Sequence, residues 1–355
     1  MIQNLIKHRF IQSILGLACI ISAFNVNVAS AKNSYVFEAG HPSLQEWLLP
    51  ETPPFPPENE PTAARIALGK ALFFDPRLSG SGNMSCATCH SPMFGWSDGL
   101  KTARGAQSAV LERASPTVVN TAYNFLQMWD GRKPTLEAQA LGPLETTAEM
   151  HSNFDQMLTL LNEKAGYIKM FNAAYPKEPI DKTTLAKAIA SYERTIISRD
   201  SRFDQWVRGD KSALSKQEVL GFEIFASSEK GNCAVCHSAP NFNDNGFHNI
   251  GLASFASKKS DVGRFSQRPL GLMKGAFKTP TIRDIELTAP YFHDGSAENL
   301  LTVVEHYARG GDTQINLSPN MKKLSLSKKD KEALVAFMKS LTTKPQPVTF
   351  PELPL

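Results

Sequence analysis

Two pentapeptides stand out for what they could do chemically: Cys86-Ala87-Thr88-Cys89-His90 and Cys233-Ala234-Val235-Cys236-His237. Each puts two thiols and an imidazole on one turn of chain. The thiols can add to the two vinyl groups of a haem, and the adjacent imidazole can bind its iron. C-x-x-C-H is therefore the attachment signature of a c-type haem. Rival readings are a pair of disulfides or a zinc ion held by four thiolates, and neither needs a histidine directly after each pair. The haem reading predicts two covalently bound haems c, with His90 and His237 as the proximal iron ligands.

The surroundings of the motifs repeat as well. Gly82-Asn83-Met84-Ser85-Cys86 parallels Gly231-Asn232-Cys233, and Phe94-Gly95-Trp96-Ser97-Asp98 parallels Phe242-Asn243-Asp244. The motifs are offset by 147 residues, about one domain, so a duplicated module with one haem per copy is expected.

The elements that must position them follow from length and pattern. The 355 residues suffice for about two domains of ~150 residues. A hydrophobic content of 42% against 20% charged residues supports buried cores and excludes a disordered chain. The formal charge of +4 lacks the basic excess of a nucleic-acid binder. Residues 1–31 read as a cleaved signal peptide: Lys7 and Arg9, an apolar stretch, then Ala29-Ser30-Ala31. A membrane anchor is the rival reading, and a lipoprotein at Cys19 fits poorly with Gly16-Leu17-Ala18 before it. Export places the mature chain in the periplasm with no stable membrane span. Its 36 basic and 34 acidic residues leave +2. The four propionates of two haems offset that, so net charge does not give the sign of a partner.

Residues 32–61 form an arm, extended where 50–61 hold six prolines. Helices are expected over 62–74, ended by Asp75-Pro76, and over 215–225. The spacing of Leu185, Ile189, Tyr192 and Ile196 predicts one long helix over 183–206. A domain boundary is expected at Arg208-Gly209-Asp210, dividing 62–209 from 210–355. Ser327 and Asp330 open a last helix with Leu334, Phe337, Met338 and Leu341 on its apolar face. The expected fold is all-α, two cytochrome c-like domains, each wrapped round one haem.

The stretch MWDGRKPTLEAQALGPLETTAEM over 128–150, the segment Pro116-Thr117-Val118-Val119-Asn120, and FKTPTIRDIELTAPYFHDG over 277–295 complete a pattern. With the two haem motifs, the chain resembles the bacterial di-haem cytochrome c peroxidases and their MauG-type relatives over nearly its whole mature length. The resemblance implies that the haem of Cys86, Cys89 and His90 reacts with peroxide and that the haem of Cys233, Cys236 and His237 handles electrons. It implies Trp129 between the two haems. Gln139, Glu149 and Pro143 would lie in the distal pocket of the first. Asn120, Thr288 and Pro290 would hold a calcium ion, and Tyr307 would be an axial ligand of the second iron. Leu300, Val303, Val304 and Tyr307 share one helical face, so periodicity alone makes Tyr307 a core residue, and the adjacent His306 is its competitor for the iron. Typical members carry a histidine on a loop near the first haem, where this chain has Gly105-Ala106-Gln107. That difference bears on reductive activation.

Peroxide cleavage requires an open iron site and a group that moves a proton between the two oxygens. No histidine stands between His90 and Trp129, and Met93 lies too close to the proximal ligand to reach the opposite face. Three functions are expected in order. The first is a periplasmic peroxidase reducing hydrogen peroxide with electrons from a small cytochrome c or cupredoxin. The second is a MauG-like oxidase drawing electrons from residues of a protein substrate, and the third is a non-catalytic electron-transfer cytochrome.

Overall fold

The computed structural model describes residues 35–344 and 346–355. The expected signal peptide over residues 1–31, with Cys19, lies outside the described residues. Those described are mostly helical. Ten α-helices are joined by loops and short 3-10 turns, and the single sheet is the two-residue pairing of β1 (Phe247–His248) with β2 (Phe277–Lys278).

The first half contains α1 (Ala63–Phe74), α2 (Cys86–Cys89), α3 (Leu136–Glu145), α4 (Phe154–Glu163), α5 (Ala165–Ala174) and α6 (Lys182–Glu193). α7 (Arg202–Val207) leads into the second half, with α8 (Lys216–Ala226), α9 (Leu300–Arg309) and α10 (Lys328–Ser340). Caps set the starts. Thr62 accepts the Arg65 N–H, and Ser215 with Glu218 and Ser327 with Asp330 make capping boxes.

The halves have separate hydrophobic cores. One gathers Leu68, Leu72, Phe73, Leu161, Leu185 and Ile189; the other gathers Phe203, Phe222, Phe225, Leu334, Phe337 and Leu341. In the first, α1 crosses α6 so closely that a Cβ on Gly69 would sit 1.9 Å from the Ala188 carbonyl oxygen. In the second, α8 crosses α10, and a Cβ on Gly221 would sit 2.0 Å from that of Ala333. Only glycine lets these backbones touch.

Two expectations need correction. Residues 183–206 are not one helix: α6 ends at Glu193 and α7 starts after Ser201. Between them the chain runs extended because Asn120 grips it. Asn120 Nδ2 donates to the Ser198 carbonyl (3.0 Å), its Oδ1 accepts the Ser198 N–H (2.9 Å), and its own N–H donates to the Ile196 carbonyl (2.9 Å). Thr195, Ile196 and Ile197 also favour this extended path. The second correction concerns the arm. Its start is not extended throughout but makes a 3-10 turn over Pro42–Trp47 and joins the second core: Tyr35, Phe37, Leu44 and Trp47 pack with Phe222 and its neighbours. The Arg283 guanidinium fastens it, donating to the Trp47 carbonyl at 2.8 Å and pairing with Asp204 at 2.9 Å, both charges fully buried. The C-terminal tail crosses the other way, Val348 onto the first core and Phe350 against Phe74 at 5.2 Å between ring centres.

Candidate functional site

The two C-x-x-C-H motifs sit at the foot of two similar scaffolds. All four cysteines are free thiols, so the disulfide reading fails, and the pairs belong to different halves. Burial raises the thiols of Cys86, Cys89 and Cys233, the last two to about 12. Such thiols are protonated, unlike the depressed thiolate of a cysteine peroxidase.

Each histidine is held alike. His237 Nδ1 faces the Phe242 carbonyl at 3.0 Å, and His90 Nδ1 faces the Trp96 carbonyl at 3.3 Å. Both accepting residues are in the left-handed region, Trp96 at φ 62° and Phe242 at φ 52°. Within the parallel segments, the structural partner of Phe242 is thus Trp96. An imidazole bonded through Nδ1 keeps Nε2 for a metal. Burial pulls His90 down to about 4 and lowers His237 as well, so both are neutral, as ligation requires.

The duplication runs further than the motifs. Thr117 Oγ1 donates to the Gly95 carbonyl (2.6 Å), as Thr281 Oγ1 does to that of Asn241 (2.7 Å). Asn120 and Asp284 then take the same left-handed turn, and their Oδ1 atoms accept the N–H groups of Ser198 and Thr343. Trp129 and His293 occupy equivalent places in the turns Met128-Trp129-Asp130-Gly131 and Phe292-His293-Asp294-Gly295. Met128 and Phe292 both stand at φ 71°. The halves exchange bonds here: Ala114 N–H donates to the His293 carbonyl (2.7 Å) and Lys278 N–H to the Trp129 carbonyl (2.8 Å). Trp129 and His293 meet edge to face at 6.3 Å, and Trp129 Nε1 donates to the Ala114 carbonyl at 2.9 Å. Trp129 is therefore at the junction of the two halves. His293, also stacked on Phe277 at 3.5 Å, is its counterpart.

Above His237 a mostly apolar cavity is lined by Cys233, Cys236, Trp129, Lys278, Tyr307 and Met338 among others. Tyr307 lines it half-buried, and desolvation raises its phenol well above the usual range. His306 is not available there: its Nε2 faces the Ile250 carbonyl at 2.8 Å and its Nδ1 faces Asp312 at 3.2 Å. Met273 does not line the cavity, whereas Met321 and Met338 do. Lys278 is buried, donates only to the Thr279 carbonyl at 3.3 Å, and is pulled down to about 8 by burial. The acid that acts on it, Asp244, pairs with His248 at 2.8 Å. A buried ammonium without a carboxylate calls for an anion, and haem propionates are such anions. Two sulfurs, a neutral imidazole, an apolar slot and an under-satisfied cation fit a haem c.

α3 and α9 each follow a capping residue, Thr135 or Asn299, and each has ten residues. Leu300, Val303, Val304 and Tyr307 of α9 all line the second cavity. Their counterparts on α3 are Leu136, Gln139, Ala140 and Pro143. Gln139 and Pro143 thus share the face that in the other half meets the cavity, and Gln139 Oε1 is buried with no partner. Glu149 is held above the usual carboxyl range by burial, against the pull of Arg132 and Lys133. Its charge acts on the Cys89 thiol, placing it near the first motif. The loop lacking histidine lies against it, Ala106 N–H donating to the Glu149 carbonyl at 2.7 Å, while Gln107 faces solvent. Met93 is 83% exposed.

Sequence reasoning missed two residues. Glu193, at the end of α6, is buried with Oε2 unpartnered, and burial raises it to about 8. Tyr192 packs on Gly69 as Phe337 packs on Gly221, so Glu193 corresponds to Met338, which lines the second cavity. Read alone in Ser191-Tyr192-Glu193-Arg194, it looks like a helix-end charge. His248, also passed over, lines the second cavity and is raised to about 10 by its bond to Asp244.

The di-haem cytochrome c peroxidase family matches over residues 63–212. The methylamine utilization protein MauG of Methylorubrum extorquens is 42% identical over 306 residues, 86% of each chain. The chain belongs to this family. The cytochrome c551 peroxidase of Nitrosomonas europaea is 35% identical, covering 84% of this chain and 85% of that one. The relatives thus include both peroxidases and MauG proteins, and the family is one of oxidoreductases. Among solved structures, a MauG-like protein associated with microbial copper homeostasis superposes with a TM-score of 0.77 at 29% identity, covering 83% of this chain and 95% of that one. The di-haem peroxidase BthA of Burkholderia thailandensis shares the fold, with a TM-score of 0.70. Among the described residues no helix is long and apolar enough to cross a membrane.

Proposed function

We propose that the chain is a periplasmic di-haem peroxidase built as two cytochrome c-like domains, reducing hydrogen peroxide with electrons from a small redox protein. Cys86, Cys89 and His90 would hold one haem c, and Cys233, Cys236 and His237 the other. The bound haems supply the redox chemistry, and the protein supplies position and protons. Lys278 would neutralise a propionate. Tyr307 would close the second site with a sixth ligand.

The observation that carries the reading is the pairing of Tyr307 with Pro143, each the eighth residue of its helix. Where the second site has a phenol, the first has a ring without a donor atom, so peroxide has room to bind only at the first. Glu149, kept protonatable by burial, would carry a proton from one peroxide oxygen to the other. Gln139 would orient the peroxide through its amide. Trp129 would stand between the two redox centres. A calcium ion between the halves is proposed on the resemblance. Thr288 and Pro290 line the second cavity, and Asn120 would use the Oδ1 lone pair that Ser198 leaves free, with water completing a sphere that has no carboxylate.

A second reading, a MauG-like oxidase acting on a partner protein, is favoured by Tyr307 itself. An anionic phenolate stabilises oxidised iron, whereas the neutral thioether of a methionine raises the potential. The absence of histidine in the 105–107 loop agrees with it. Glu149→Gln in the holo-protein tests the shared core of both readings: the reaction with peroxide should slow ~10²–10⁴-fold with both haems retained. An unchanged rate contradicts the assignment. Rapid turnover with a reduced cytochrome c or cupredoxin selects the peroxidase; slow turnover with long-lived stored oxidising equivalents selects the oxidase.

A further inference from the structure

Charge is unevenly distributed. Segments 251–275 and 313–324 together hold seven basic residues and one acid, Asp261. The chain from residue 32 onward carries only +2, so everything outside these segments is net acidic. Asp261 is neutralised by Arg113 at 2.7 Å. Arg264 turns inward to the carbonyls of Asp130 and Gly131. The other six cations, Lys258, Lys259, Arg268, Lys274, Lys322 and Lys323, are exposed.

Along the chain Arg268 and Lys274 bracket an exposed apolar stretch, and Lys322 and Lys323 follow Ile315 in the second segment. Leu270 is 46% exposed, Leu272 67% and Ile315 54%. The two segments are fastened into one plate by two asparagines. Asn316 Nδ2 donates to the carbonyls of Gly271 (3.0 Å) and Lys274 (2.7 Å), and Asn249 Nδ2 donates to those of Ile315 (3.1 Å) and Lys274 (3.4 Å). Asn249 lies between His248 and Ile250, and both line the second cavity, as do Ser318 and Asn320. The plate is thus the rim of the second site.

Exposed apolar side chains among charges mostly of one sign are the layout of a protein docking surface, and such charges steer a partner of opposite sign. We infer that this plate docks a small acidic redox protein that has its own exposed apolar patch and delivers electrons at the second site. The inference rests on the peroxidase reading. Reduction of one hydrogen peroxide to two waters takes two electrons and two protons, so two one-electron donors must visit and leave in turn. Steering by charge suits such brief encounters. The rim position favours a redox partner over an anionic lipid surface or a nucleic acid, and the plate exposes no aromatic ring on which bases would stack.

The test uses the holo-protein, hydrogen peroxide and two reductants: an acidic cupredoxin in its Cu(I) form and neutral hydroquinone. The bimolecular rate with the cupredoxin should fall at least ~10-fold as salt shortens the Debye length from about 30 Å to about 3 Å. The double variant Arg268→Glu, Lys274→Glu should lose ~10-fold or more at low salt, and Leu272→Ser several-fold. Hydroquinone oxidation should be unchanged in all three. A salt-independent rate, a faster reaction with a basic cytochrome c, or full cupredoxin activity in the double variant overturns the docking site. So does binding to phosphatidylserine vesicles that the variants lose while cupredoxin oxidation is untouched. If wild type fails to oxidise hydroquinone as well, the peroxidase reading falls and takes this inference with it.

Discussion

The halves of the molecule share a scaffold and differ where the chemistry is decided. In both, a histidine is held through Nδ1 by a left-handed carbonyl, a threonine ties the following Pro-Thr segment to the motif loop, and a ten-residue helix follows the turn that carries Trp129 or His293. The second half fills the eighth position of that helix with Tyr307 and lines the face with Val303 and Val304. The first half places Pro143, Gln139 and Ala140 there. The second also pairs its Asp244 with His248, whereas the equivalent Asp98 leaves Oδ2 unpartnered. Buried polar groups in native proteins are normally satisfied. Asp98, Gln139 and Glu193 of the first half keep unpartnered atoms, as Trp47 and Asn241 of the second do; in the proposed function the first three would meet a polar reactant, and Tyr307 would close the second site.

Making the first half resemble the second should have the largest effect. Pro143→Tyr puts a phenol at the position of Tyr307. The peroxide reaction should fall by more than the ~10²–10⁴-fold of losing the proton carrier, and the high-spin ferric spectrum of the first haem should turn low-spin. A variant that keeps full reactivity breaks the equivalence of α3 and α9.

Next in size is the shared helix crossing. Gly69→Ala and Gly221→Ala each push a methyl into a carbonyl of the opposing helix. Each should cost about 1–3 kcal/mol of stability, read from denaturant midpoints, with similar losses in the two halves. A neutral effect in one half shows that its crossing is looser than its twin.

The smallest effect concerns Glu193. Its carboxyl is raised to about 8 in the folded chain from the usual 4.5, so the folded state holds a proton that the unfolded chain gives up. Stability from this group is present below about 4.5 and is lost as pH rises towards 8. Glu193→Gln should flatten the decline in thermal midpoint between those pH values. An unaltered slope would mean that Glu193 is not a buried acid.

The two haem motifs, the starts of α1, α8 and α10, and the α9 face were readable because each depends on a few adjacent residues whose chemistry is local. The internal equivalence of Ser115-Pro116-Thr117 with Thr279-Pro280-Thr281, and of Trp129 with His293, was not. What those pairs share is Pro-Thr, Asp-Gly and a hydrogen bond, short patterns whose equivalence is visible only in the backbone turns, since Trp129 and His293 differ in type. The break between α6 and α7 was hidden for a related reason: it depends on Asn120, 78 residues from Ser198. The crossing of the two chain ends onto opposite cores likewise comes from contacts between distant residues that no local pattern encodes. Glu193 was unreadable because its significance lies in burial without a partner.

The central claim is that the two sites differ in the sixth position, and the ferric spectrum of the holo-protein tests it most directly. Electron paramagnetic resonance should show one high-spin and one low-spin haem in equal amounts. Tyr307→Phe should convert the low-spin signal and leave the other unchanged. Two low-spin haems in the wild type, or an unaltered low-spin signal in Tyr307→Phe, would contradict the account.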